Sequence, residues 1–192
     1  MIDSVIADAE GILKSQITAH FQIEKYLWLT DNVRRIDVAH DKDGFQKKYN
    51  GFWNVRCNSD WRREYYAYFE SVKDKSPTFE QIITDLNTRL TGRLEPSFSS
   101  KLLATIDPNR PVWDSRVLRI LFDSIPAIGL WERNKTLDAA VNVYDDICTW
   151  YEEFMLTLEA RRCIEIFDSY LSEYMNKIST VKKIDYLLWG MR

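Results

Sequence analysis

Apolar side chains recur three and four residues apart in segment after segment of this chain, and no stretch shows the strict alternation of a half-buried strand. That spacing puts them on one face of a helix, so an all-α fold is expected. Helix-start residues fall where the pattern needs them. Asn58 or Ser59 precedes the stripe Trp61, Tyr65, Tyr68, Phe69 and Val72, and Ser76-Pro77 reads as a cap followed by a first-turn proline. Gly92 marks the end of that helix. Thr136 precedes a long apolar face from Leu137 to Met155, Thr157 starts another helix, and Ser179 starts the last. At the N-terminus, Val5, Ile6, Ala9, Ile12, Leu13 and Ile17 predict an amphipathic helix running toward Tyr26. Phe45, Tyr49, Phe52 and Trp53 predict a helix continuing to Arg56. The charged stretch Asp31 to Asp43 breaks the pattern and is expected as an exposed loop or linker, and Pro126 with Gly129 as a second loop.

With 192 residues, the chain fits one globular domain, 1–192, that buries about 70% of its unfolded surface. Seven Trp, ten Tyr and nine Phe supply most of its core volume. The net charge of −3 excludes a global pull toward phosphate, so any nucleic-acid contact must be local. Residues 89–119 carry six bases against three acids, whereas residues 137–173 carry nine acids against Arg161 and Arg162. One face should therefore be acidic. Cys57, Cys148 and Cys163 are widely spaced and odd in number, which suits a reducing cytoplasm rather than a disulfide framework or a zinc site. His20 and His40 have no partner at ligand spacing, so no metal is expected. The start Met1-Ile2-Asp3-Ser4 lacks the basic and apolar blocks of a signal peptide, and no apolar run reaches the roughly 20 residues of a membrane span. A cytoplasmic protein without membrane contact is the expectation.

One segment combines local structure with potential chemistry. Ser100 to Ile106 is a small-residue apolar helix, Pro108 and Pro111 bound a turn, and Asp114 then opens a helix whose apolar face is Val117, Ile120 and Leu121. An Asp in that place most often accepts backbone N–H groups as a cap, and the same bonds would hold it rigid at a cleft. Arg116 and Arg119 follow on the same helix, and Lys101 lies 13 residues before Asp114. Elsewhere Arg56, Arg62 and Arg63 flank Trp61, an arrangement that could contact phosphate and stack a base, or pack internally. Lys182, Lys183 and Asp185 are expected on a solvated edge of a final helix otherwise apolar through Ile184, Tyr186, Leu187, Leu188, Trp189 and Met191. There is no Gly-rich phosphate loop, nucleophile elbow or His-Glu-x-x-His pair, so no cofactor is expected.

Pro111-Val112-Trp113-Asp114-Ser115-Arg116-Val117-Leu118-Arg119, behind its apolar helix, resembles the end of the helix-hairpin-helix DNA glycosylase core, of the 8-oxoguanine glycosylase kind. The resemblance covers about 25 residues, from the apolar helix through Arg119. It implies a glycosylase-like helical core, with Asp114 at the position of the aspartate that assists base excision. The family's Leu-Pro-Gly-x-Gly hairpin is replaced here by Gly92-Arg93-Leu94-Glu95-Pro96-Ser97-Phe98, and Lys101 lies nearer to the Asp than the family's Schiff-base lysine. Lys101 is therefore read as contacting an anion, not as that nucleophile. More widely, FQKKYNGFWNVRCNSDWRR (45–63), EPSFSSKLLATIDPNRPVWD (95–114) and VKKIDYLLWGMR (181–192) resemble a broad family of small bacterial proteins with no established activity.

These readings lead to a divergent DNA-base-handling protein with Asp114 and Lys101 as candidate catalytic residues and Arg56, Trp61, Arg62, Arg116 and Arg119 as candidate nucleic-acid contacts. The competing expectation is a non-catalytic helical module whose basic segment meets the acidic lobe of another protein or of a second copy.

Overall fold

The computed structural model describes residues 19–191, together with Ala9 and residues 11–13. Among these residues the protein is all-α, with no strand. Of the N-terminal apolar pattern, Ala9, Ile12 and Leu13 are helical and buried, while Val5, Ile6 and Ile17 lie outside the described residues. Packing groups the chain into two compact units, Phe21–Asp107, and Pro108–Arg192 with the residues before Phe21.

Within Phe21–Asp107, helix α1 (Ala19–Asn32) leads through an irregular turn and a π-helical turn (Lys42–Gln46) into α2 (Lys47–Trp53), α3 (Ser59–Val72), α4 (Phe79–Arg89) and α5 (Pro96–Ile106). Its core is aromatic. Tyr49 sits among Phe45, Tyr65, Tyr66 and Phe69, with ring centroids 5.5 to 6.1 Å apart. Burying tyrosines costs free energy unless their hydroxyls are bonded, and those of Tyr49, Tyr65 and Tyr66 are. The Tyr49 and Tyr65 hydroxyls lie 2.7 Å apart, Tyr65 donates to Phe98 O at 3.0 Å, and Tyr66 donates to Asn50 Oδ1 at 2.7 Å.

The charged stretch 31–43 is less of a linker than its composition predicts. It begins in α1, ends in the π turn, and is irregular only over 33–41, where Val33 and Val38 are buried. Glu70 near the end of α3 and Lys73 just past it, paired at 2.8 Å, fasten it: Glu70 accepts the Val38 N–H at 2.7 Å and Lys73 donates to Ile36 O at 2.6 Å. The Gln46 amide adds bonds to Val38 O and Ala39 O. Asp41 then caps the π turn by accepting the N–H groups of Gly44 and Phe45, and a Cβ at Gly44 would stand 2.3 Å from the Asp41 carboxylate.

Two boundaries differ from expectation. The helix predicted to reach Arg56 stops at Trp53, because Asn54 takes a left-handed conformation (φ 56°) that asparagine tolerates better than most residues. The helix predicted from Ser76 starts two residues later. Thr78 accepts the Gln81 N–H while the Gln81 side chain returns to the Thr78 N–H, a reciprocal pair that Ser76 and Pro77 cannot offer. Past Arg89, Gly92 (φ 84°) sends its N–H back to Asn87 O, in keeping with its predicted role at that helix end.

Within Pro108–Arg192, the helices are α6 (Ser115–Leu121), α7 (Pro126–Arg133), α8 (Leu137–Met155), α9 (Leu158–Tyr170) and α10 (Thr180–Gly190), with a 3-10 turn at Ser172–Tyr174. Asp114, Thr136, Thr157 and Ser179 are side-chain N-caps as their positions predict. Pro126 and Gly129 form no loop. Proline sits in the first turn of α7, where its missing N–H costs nothing, and Gly129 lies inside that helix. Consecutive helices α7 to α10 pack pairwise, and α10 also packs on α6.

Candidate functional site

The approach to α6 is fixed from both sides. Pro111, Val112 and Trp113 are buried, Tyr144 donates its hydroxyl to Pro111 O at 3.0 Å, and Trp113 meets Trp131 edge-on at 5.4 Å. Asp114 is extended (φ −119°, ψ 139°) and accepts the Arg116 N–H at 2.9 Å, so its carboxylate is held by the helix it starts. Val117 and Leu121 bury the inner face of α6, leaving Arg116 and Arg119 exposed one turn apart on the outer one.

On that outer face Arg116 meets a residue the sequence assigns to the core. Trp189, on the last turn of α10, is 45% exposed, and the Arg116 guanidinium carbon lies 4.4 Å from the ring centroid. The apolar run Tyr186 to Met191 hides this, although in the same last turn Leu187 and Leu188 are buried. A part-exposed indole with a guanidinium over it, on the helix that Asp114 caps, is thus the most chemically capable surface near Asp114, and α6 packing on α10 assembles it.

Behind Asp114 lies a buried polar group that the sequence places in solvent. Lys183 and Asp185 are buried and Lys182 nearly so, which corrects the expected solvated edge. Lys182 Nζ is 3.6 Å from Asp185 Oδ2, and Tyr151 of α8 donates its hydroxyl to Asp185 Oδ1. Burial pushes the Asp185 carboxyl up and the Lys182 ammonium down, and each partner partly opposes the other's shift. The Asp114 charge reaches the same group, raising Asp185 and Tyr151 further and supporting the Lys182 ammonium. The adjacent Lys183 turns to α9, paired with Asp168 at 2.5 Å and donating to Met175 O at 2.7 Å. The Lys-x-x-Asp spacing of Lys182 and Asp185 is the one sequence signal that could have exposed this arrangement, since an i, i+3 pair inside an apolar helix satisfies itself.

Several predicted contacts fall elsewhere. Lys101 belongs to Phe21–Asp107 while Asp114 belongs to Pro108–Arg192. Its side chain is buried, with Nζ 3.4 Å from Trp53 O and 5.1 Å from the Phe98 ring centroid, so it does not present itself to an incoming anion. Trp61 is no stacking platform. It is 4% exposed, stacks on Tyr65 at 4.7 Å, meets Phe98 at 4.8 Å, and donates its ring N–H to Glu95 at 3.1 Å. Its neighbours stay at the surface: Arg56 donates to Asn54 Oδ1 at 2.8 Å, Arg62 is half-buried and reaches Asn58 O, and Arg63 is paired with Asp60 and Glu64. Cys57, Cys148 and Cys163 are free thiols, and burial pushes Cys148 up to about 11.

Among the described residues no helix is long and apolar enough to cross a membrane, and no three His, Cys, Asp or Glu side chains gather as a metal site. Comparison with protein-family models, with curated proteins and with solved structures finds no match for this chain.

Proposed function

We propose that this chain binds an unstacked base of a nucleic-acid strand on the surface formed by α6 and α10, as a divergent DNA-glycosylase-like, base-handling protein. The observation that carries the reading is the Arg116 guanidinium beside a Trp189 ring that keeps 45% of its surface open. Bases stack on an indole face and guanidinium groups reinforce that stacking. Arg116 and Arg119, exposed one turn apart, suit phosphates flanking the stacked base. Asp114 caps the same helix, and its carboxylate is the group that would oppose positive charge developing on a sugar as its base departs. Trp189 takes the part the sequence suggested for Trp61, and Lys101 has none.

Two arginines in a chain of net charge −3 supply modest affinity. For a single strand the slope of log K against log salt is about −0.7 per phosphate neutralised, hence about −1.4 for two. The test is an anisotropy titration with single-stranded, duplex and abasic oligonucleotides at two salt concentrations, alongside an assay for free base. Single strands are expected to bind best, Trp189→Ala to remove about 1–3 kcal/mol of binding, and any base release to vanish in Asp114→Asn. Binding that ignores both salt and Trp189→Ala would overturn the proposal.

A further inference from the structure

Among the described residues, the connection between α8 and α9 carries the most exposed large apolar side chains. Leu156 is 82% and Leu158 64% exposed, although they flank a turn that is anything but loose. The Thr157 hydroxyl donates to Phe154 O at 2.7 Å and accepts the Ala160 N–H at 3.1 Å, while the N–H groups of Leu156 and Thr157 bond back to Glu153 O and Phe154 O. Trp150 stacks on Phe154 at 4.9 Å beneath it. Two leucines are therefore held out on a rigid corner, where their exposure gains nothing for the fold. An apolar anchor presented on a backbone already fixed by hydrogen bonds has little backbone entropy to lose on binding, which suits a docking surface.

The charge around the corner selects the partner. Helix α8 has five acids, Asp138, Asp145, Asp146, Glu152 and Glu153, all exposed, and not one Lys or Arg among its 19 residues. Asp138, Asp145, Glu152 and Leu156 follow one another along a single helix face, so the exposed leucine terminates an acidic stripe. Such a stripe repels phosphates, which separates this surface from the nucleic-acid reading at α6 and α10. Helix α9 mixes its charges, Arg161 and Arg162 standing among Glu159, Glu165 and Asp168, so the uninterrupted acidic stripe belongs to α8.

We infer that the α8–α9 corner docks a basic amphipathic helix of another protein, with that helix's apolar residues seated on Leu156 and Leu158 and its Lys or Arg residues along α8. The inference is independent of base binding and holds whether or not that reading stands.

The test uses the full chain and a fluorescent synthetic helix of about 18 residues, long enough to lie along α8, built from Leu and Lys in amphipathic order, with a Leu and Glu helix as control. Saturable binding of the Leu/Lys helix alone is expected. Leu156→Ser/Leu158→Ser and, separately, Asp145→Asn/Asp146→Asn/Glu152→Gln/Glu153→Gln should each weaken it by about tenfold or more, with thermal melts unchanged because every altered side chain is at the surface. Failure of the Leu/Lys helix to saturate overturns the inference. So does binding that survives the leucine variant, which would be charge attraction without a seat. A dimer of the chain alone that the leucine variant dissociates also overturns it, since a second copy would then occupy the corner. None of these outcomes touches oligonucleotide binding by Trp189.

Discussion

Adjacent lysines at the start of α10 are both withdrawn from solvent, yet they answer to different physics. Lys183 faces Asp168 at 2.5 Å with a backbone carbonyl as its other partner, so removing the aspartate leaves a buried ammonium without its counter-charge. Asp168→Asn is therefore expected to lower stability by about 3 kcal/mol, with much of that recovered in Lys183→Met/Asp168→Leu, as urea unfolding would show. Lys182 and Asp185 are both pushed toward neutrality by burial. Asp185 with a raised folded pKa favours the folded state most at acid pH, and this contribution fades as pH rises through the raised value. Lys182, held below its usual value, contributes in alkaline solution and loses that contribution as pH falls through its folded pKa. Asparagine at 185 keeps an acceptor for Tyr151, and the Asp114 charge still supports the Lys182 ammonium, so Asp185→Asn should cost less stability than Asp168→Asn at neutral pH. A large loss there, or no difference between the two Asn variants, contradicts this account.

At the scale of elements, the start of α4 separates what sequence shows from what it hides. Thr78→Ala should cost about 1 kcal/mol in urea unfolding, and Ser76→Ala, exposed and outside the reciprocal Thr78–Gln81 bonds, less than about 0.5 kcal/mol. Equal effects would return the cap to Ser76. The starts of α8, α9 and α10 were legible because each apolar face has a Thr or Ser directly in front, Thr136, Thr157 and Ser179. Where two candidate caps stand close together, as at Ser76 and Thr78, the chain pattern cannot rank them; the return bond from Gln81 does. Pro126 misled for a related reason, since proline opens helices as readily as it ends them. The site was half legible. Asp114, Arg116 and Arg119 follow from one helix and its cap, whereas Trp189 joins them only through the packing of α10 on α6, and Trp61 is lost to the core through a bond to Glu95, 34 residues away.

For the whole molecule, the aromatic richness that read as core volume is also a network of buried hydroxyls. Tyr49, Tyr65, Tyr66, Tyr144 and Tyr151 all hold their protons well past the ordinary tyrosine range because burial penalises the phenolate. A raised folded pKa means that the fold keeps protons the unfolded chain would release. Stability is thus unaffected below the ordinary value near 10 and falls as pH climbs beyond it. Ionising Tyr49 or Tyr65 would remove a proton from their hydrogen-bonded chain to Phe98 O and bury a phenolate. Alkaline titration followed at the phenolate band should then trace a small gradual rise from accessible rings and one abrupt step coincident with loss of helical dichroism, whereas a smooth rise with dichroism intact would contradict it. The protein's own colour change in base would serve as an unlabelled clock for its opening.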